Sequence, residues 1–119
     1  MAGGFVYTAV DQGQLATAEI YGKALSDIIM KDPKVVAITA DLAKSTKLGD
    51  VLKVCPERVI NVGIAEQDMF GVAAGMARAG MIPFLSGFSA FTSMRACDQL
   101  HTDICYQNVN AKIIATHSG

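Results

Sequence analysis

Apolar residues fall along this chain in two alternating rhythms. Between Leu15 and Lys31 they recur three or four apart, at Tyr21, Ala24, Leu25, Ile28 and Ile29, which predicts a helix stopped by Asp32-Pro33. Val35-Val36-Ala37-Ile38 follows as a short, β-branched run without alternation, the pattern of a strand covered on both faces. The same exchange then repeats. A brief helix is expected over Lys47 to Val54, closed by Pro56, and a strand over Val59 to Val62. A helix from Glu66 to Ala79 ends at Gly80, and Met81 to Leu85 is a third strand. Ser93 to Tyr106 reads as one long helix and Ala111 to Thr116 as a fourth strand. Strands and helices that alternate with short connections predict an α/β fold, a parallel sheet with helices on both faces.

Residues 1–14, rich in Gly and polar groups, are expected to form an N-terminal arm, and 15–119 a single domain. That domain is expected to be incomplete, because the chain stops at Ser118-Gly119 immediately after a buried-type strand, where a crossover helix should follow.

Composition narrows the classes. Hydrophobic residues are 51% of 119 and charged residues 18%, so either the core is large or another chain covers part of the apolar surface. A net charge of −1 offers no basic face, which argues against nucleic acid and anionic membrane as partners. No apolar run approaches a membrane span, and Met1-Ala2-Gly3-Gly4 lacks the features of a signal peptide, so a cytoplasmic setting is expected. Cys55, Cys97 and Cys105 show no metal or redox spacing and are expected to be three buried, reduced thiols. With two histidines and no cysteine pair, no protein-bound transition metal is expected.

Open parallel sheets bind ligands beyond the carboxyl ends of their strands. Those ends here carry Asp41, Glu66, Phe88 with Phe91, and His117. Glu66, in Gly63-Ile64-Ala65-Glu66-Gln67, stands where a strand gives way to a helix amid apolar sequence. An acid so placed either finds a hydrogen-bond partner or stays protonated, and both states suit exchange of a proton with a bound heterocycle. A helix-capping role for Glu66, core packing for the phenylalanines and a sheet-rim cap for His117 are the plainer alternatives.

Several segments in order carry a resemblance: Tyr21-Gly22-Lys23-Ala24-Leu25, Ala40-Asp41-Leu42 with Ser45-Thr46, Pro56-Glu57-Arg58, and Asn61-Val62-Gly63-Ile64-Ala65-Glu66-Gln67. Ala73-Ala74-Gly75-Met76-Ala77, Phe88-Ser89-Ala90-Phe91, Arg95-Ala96-Cys97-Asp98-Gln99 and Thr116-His117-Ser118-Gly119 continue it. From about Thr17 onward the chain resembles the pyrimidine-binding domain of the transketolase family. It is most similar to split transketolases, in which this domain begins a separate C-terminal subunit.

The resemblance implies thiamine diphosphate as cofactor and ketol transfer between sugar phosphates, as in the pentose phosphate pathway, as activity. Glu66 would hydrogen-bond N1′ of the aminopyrimidine, favouring the tautomer that activates the thiazolium C2. Phe88 and Phe91 would form the aromatic pocket, Phe91 being the stacking ring; a third aromatic common in larger transketolases is replaced by Met94. Asp41 would lie near the thiamine at a subunit interface, a helix-cap or turn role being the equal alternative, and Ser45 and His117 would meet the sugar phosphate. Gly71 and Gly75 would let their helix approach a partner subunit, although packing on the parent sheet accounts for the spacing nearly as well. His101 has no family counterpart and is expected at the surface. The Gly-Asp-Gly motif that holds diphosphate and Mg²⁺ in this family has no match here, the acids Asp27, Asp32, Asp50 and Asp68 lying in helices or their caps. A diphosphate-binding subunit or domain would therefore supply it in a homo- or hetero-oligomer, and the chain alone would be inactive. Two other readings stay open within the superfamily, a deoxyxylulose-phosphate synthase and the β subunit of 2-oxo acid dehydrogenases. Thr116-His117 argues against the synthase, which usually carries Asp-Arg there. A third reading is a subunit that only assembles with others.

Overall fold

The computed structural model describes residues 16–119, so the expected N-terminal arm lies outside the described residues. Helix α1 spans Thr17–Lys31 and buries Gly22, Leu25 and Ile29. Its apolar stripe is narrower than the sequence suggests, since Ile28 is exposed. Gly22 is required by contact: a Cβ there would run into the carbonyl of Lys47.

Strand β1, Val35–Thr39, is buried at every position, as expected of a strand covered on both faces. Helix α2 runs Gly49–Val54, shorter than expected at its start. Lys47 adopts φ 61°, a left-handed conformation that cannot belong to the helix. A single 3₁₀ turn over Pro56–Arg58 leads into β2, Val59–Asn61. Helix α3 spans Glu66–Arg78 and β3 spans Ile82–Phe88, three residues beyond the expected end. The long strand keeps its neighbours close: at Gly87 a Cβ would meet the Thr92 methyl at 2.9 Å.

The segment expected as one helix over 93–106 is broken. A π-helical turn, Phe91–Arg95, precedes the short α4, Cys97–Gln99, and a second π-helical stretch, Leu100–Cys105. The wide hydrogen bonds are explicit: Ala96 N–H reaches the Phe91 carbonyl and Tyr106 N–H the His101 carbonyl. Hydroxyls donate to other backbone carbonyls in and before this segment, Thr92 to Phe88 and Ser89, Ser93 to Ser89, Thr102 to Asp98, and such back-bonding deforms helices. The buried side of this segment carries Ala96 and Ile104. Cys97 and Cys105, one residue further on, are turned outward; only Cys55 is buried, which corrects the expectation of three buried thiols. His101 is exposed, as expected.

Strand β4, Lys112–Thr116, completes a four-stranded sheet in the order β2-β1-β3-β4, every pairing parallel. Ile60, Ile38, Leu85 and Ile113 stand in register across it and face one cluster with Met69, Phe70, Ala73, Ala74, Ala96 and Ile104. Val35 and Ala37 face the other way, against Leu25, Ile29, Leu48, Val51 and Cys55. Thus α1 and α2 cover one face, and α3 with the 91–105 segment covers the other. Right-handed crossovers demand this arrangement once the chain moves from β1 outward to β2 and back across to β3.

Candidate functional site

Because all four strands are parallel, the residues that follow them share one rim. At the end of β2 the chain turns through Gly63, at φ 79°, to Ala65 and enters α3 at Glu66. The Glu66 side chain is 2% exposed. Arg95 Nη1 donates to its Oε2 at 3.0 Å, while Oε1 has no partner among the described residues. The buried acid has therefore found a partner, and the partner is a cation from another segment rather than the free amides of its own helix. Arg95 is held at its backbone as well, since Gln67 Nε2 donates to its carbonyl at 3.1 Å.

The aromatic residues adjoin this pair. The Arg95 guanidinium lies over the Phe91 ring, 4.2 Å from the centroid. Phe91 and Phe88 stand 5.6 Å apart, centroid to centroid and tilted by 33°, and Phe88 lies 4.1 Å from the His117 ring. His117 has φ 58°, and its Nδ1 shares a hydrogen bond of 2.8 Å with Thr116 Oγ1. Ser89 Oγ donates to the Thr116 carbonyl at 3.0 Å, which ties the end of β3 to the end of β4. Glu66, Arg95, Phe91, Phe88 and His117 thus form one continuous line of contacts.

Asp41 belongs to a neighbouring knot. It sits at φ 61° after β1, and its N–H donates to Asn61 Oδ1 at 2.9 Å. The same oxygen accepts from Gly63 N–H at 3.0 Å, and Asn61 Nδ2 donates back to Asp41 Oδ1 at 3.3 Å. Asn61 thereby fixes both the Asp41 turn and the chain's approach to Glu66. Ser45 is exposed in the turn beyond Asp41, and among the described residues no hydrogen bond links it to the others. An open cleft of about 480 Å³ between α1 and that turn, lined by Glu19, Lys23, Lys44, Lys47 and Asp50 among others, takes in no member of the Glu66–Phe91 line.

This arrangement offers a buried hydrogen-bond acceptor beside aromatic surface, a fit for a flat, neutral ring that donates at its edge. No group of three His, Cys, Asp or Glu among the described residues could hold a metal ion. Two residues of the site carried no assigned role in the sequence. Arg95 is the only Lys or Arg between Arg78 and Lys112 and stands one helical turn after Phe91, which is the signal that could have found it. Asn61 gives no comparable signal, since its contacts depend on two backbone turns.

Residues 13–119 match the family described as transketolase, pyrimidine binding domain. The chain is 43% identical over 99 residues, 83% of its length, to a transketolase C-terminal section of Methanocaldococcus jannaschii, and covers 31% of that protein. It is 36% identical over 110 residues, 92% of its length, to a 1-deoxy-D-xylulose-5-phosphate synthase of Caldanaerobacter subterraneus subsp. tengcongensis, and covers 18% of it. Among solved structures it is similar to a split-gene transketolase in an inactive β4 tetramer, with a TM-score of 0.80 at 50% identity, over 88% of this chain and 35% of that one. The chain therefore spans about a third or less of each of these proteins.

Proposed function

The chain belongs to the transketolase pyrimidine-binding domain family, and from that membership we propose that it forms the pyrimidine-binding half of a thiamine diphosphate site in a transketolase. The observation that carries this reading is Glu66: a buried carboxylate with one oxygen held by Arg95, one oxygen without a described partner, and Phe91 beside it. The residues fit the group. Glu66 would accept a hydrogen bond at N1′ of the aminopyrimidine, Phe91 would stack on the ring, and Phe88 would close the pocket wall. When bound, the cofactor supplies the electron sink for transfer of a two-carbon ketol unit between sugar phosphates. This chain's share is to orient the ring and to hold or release a proton at N1′.

Asp41 is assigned to the thiamine side of the site, and Ser45 and His117 to the sugar phosphate. The packing of His117 on Phe88 supports a place beside the aromatic pocket. Diphosphate and Mg²⁺ are assigned to a partner subunit or domain, in a cytoplasmic assembly. Relatives named as synthases keep the deoxyxylulose-phosphate reading as the second one. Thr116-His117 at the end of β4 favours transketolase over it.

In the complex with its diphosphate-binding partner, Glu66→Gln should slow hydrogen–deuterium exchange at C2 of the bound cofactor by orders of magnitude. An amide cannot shuttle the N1′ proton, and each factor of ten corresponds to about 1.4 kcal/mol of barrier. Exchange near the wild-type rate, followed by NMR, would remove Glu66 from this role.

A further inference from the structure

We propose that Arg95 is a positioning residue for this site, bridging Glu66 and Phe91 so that a free carboxylate oxygen and the aromatic surface reach the aminopyrimidine together. The inference rests on the thiamine diphosphate reading above and adds to it a residue that acts through two others.

The geometry uses both dimensions of a guanidinium. Its edge carries the donors, and Nη1 meets Glu66 Oε2 at 3.0 Å. Its face is flat, and Cζ lies 4.2 Å above the Phe91 ring. One group thus fixes a side chain of α3 and a side chain of the π-helical turn relative to each other. The backbone is fixed in the same place, because Gln67, the second residue of α3, donates to the Arg95 carbonyl at 3.1 Å. Both ends of Arg95 are therefore tied to the start of α3. With Oε2 occupied, the carboxylate cannot turn freely, and Oε1 is the oxygen left for a ligand. The Arg95 side chain is 49% exposed, so it remains hydrated at its outer edge while it orders a carboxylate that is itself buried. A lysine could supply the charge but not the plane.

A purely structural counter-ion would be served equally well by lysine, so Arg95→Lys separates the two, while a double-mutant cycle asks whether Arg95 acts through Glu66. The chain is assembled with its diphosphate-binding partner and titrated calorimetrically with thiamine diphosphate and Mg²⁺. Arg95→Met should weaken binding about tenfold, equivalent to about 1.4 kcal/mol. In a Glu66→Gln background the same change should weaken it by about threefold or less, because the carboxylate it positions is gone. Arg95→Lys should recover part of the loss. A tenfold loss of equal size in both backgrounds, or no loss in the wild-type background, would overturn the proposal. Should Arg95→Met fail to assemble, Arg95→Lys decides: a partial loss of affinity supports the planar bridge, and wild-type affinity overturns it. If the wild-type complex binds no cofactor, the thiamine diphosphate reading fails first and takes this inference with it.

Discussion

Two ionisable side chains of this domain, Glu66 buried and Tyr21 half-buried, settle differently. Glu66 takes an arginine. Tyr21, on α1, takes a neutral hydroxyl from the sheet face that α1 covers, its Oη lying 2.6 Å from Ser86 Oγ on β3. Burial pushes the Tyr21 phenol up to about 12, against a smaller opposing effect of the Ser86 hydrogen bond. The folded chain therefore keeps a proton that the unfolded chain releases from about pH 10. The stability tied to that proton is complete below pH 10 and is lost as pH rises through 12, to the extent of roughly 3 kcal/mol. Tyr21→Phe should cost about 1–2 kcal/mol at neutral pH, since Ser86 is buried and left without its partner. The variant should also show a flatter decline between pH 10 and 12, measured as urea midpoints against the wild type. At this scale Glu66 was legible in the sequence, because an acid between apolar neighbours at a strand–helix junction must be accounted for. Its partner was not, because Arg95 is distant along the chain and becomes a neighbour only when β3 lies two places from β2.

Helix α3 sorts its small residues by face. Ala73 and Ala74 are buried on the sheet, whereas Gly71 and Gly75 are exposed. A Cβ at Gly75 would meet nothing within 4 Å, and at Gly71 only the Asp103 carboxylate at 3.9 Å. Packing on the parent sheet does not explain these glycines. A glycine inside a helix with open space around it costs roughly 0.5–1 kcal/mol relative to alanine. Gly75→Ala should accordingly raise the unfolding midpoint of the isolated chain. If α3 meets a partner subunit at this face, the same change should weaken assembly, measured by sedimentation; unchanged assembly would place the partner elsewhere. Elements of regular periodicity, β1 and α3 above all, were readable from the sequence to within a residue or two. The 91–105 segment was not, since its apolar spacing is helical, and hydroxyl bonds of Thr92, Ser93 and Thr102 to backbone carbonyls, which deform helices, leave no mark in that spacing.

For the molecule as a whole, alternation of strands and helices announced the parallel sheet, and the shared rim followed from it. Strand order is another matter, and it gives the domain a history. In the order β2-β1-β3-β4, the central strand β1 is made early, yet one of its two edges pairs only with Ile82–Phe88. During synthesis the growing chain must carry a finished apolar strand, closed by β2 on one side and open on the other, until β3 leaves the ribosome. Parallel pairings between distant segments form late and expose such edges meanwhile. Ribosome-tethered chains ending at Gly80 should be cut readily by a nonspecific protease, and protection should arise once Phe88 has cleared the exit tunnel. Early protection, before Ile82 emerges, would mean that the first half folds by itself. The seven residues of β3 thus mark the moment at which the central strand loses its last open edge.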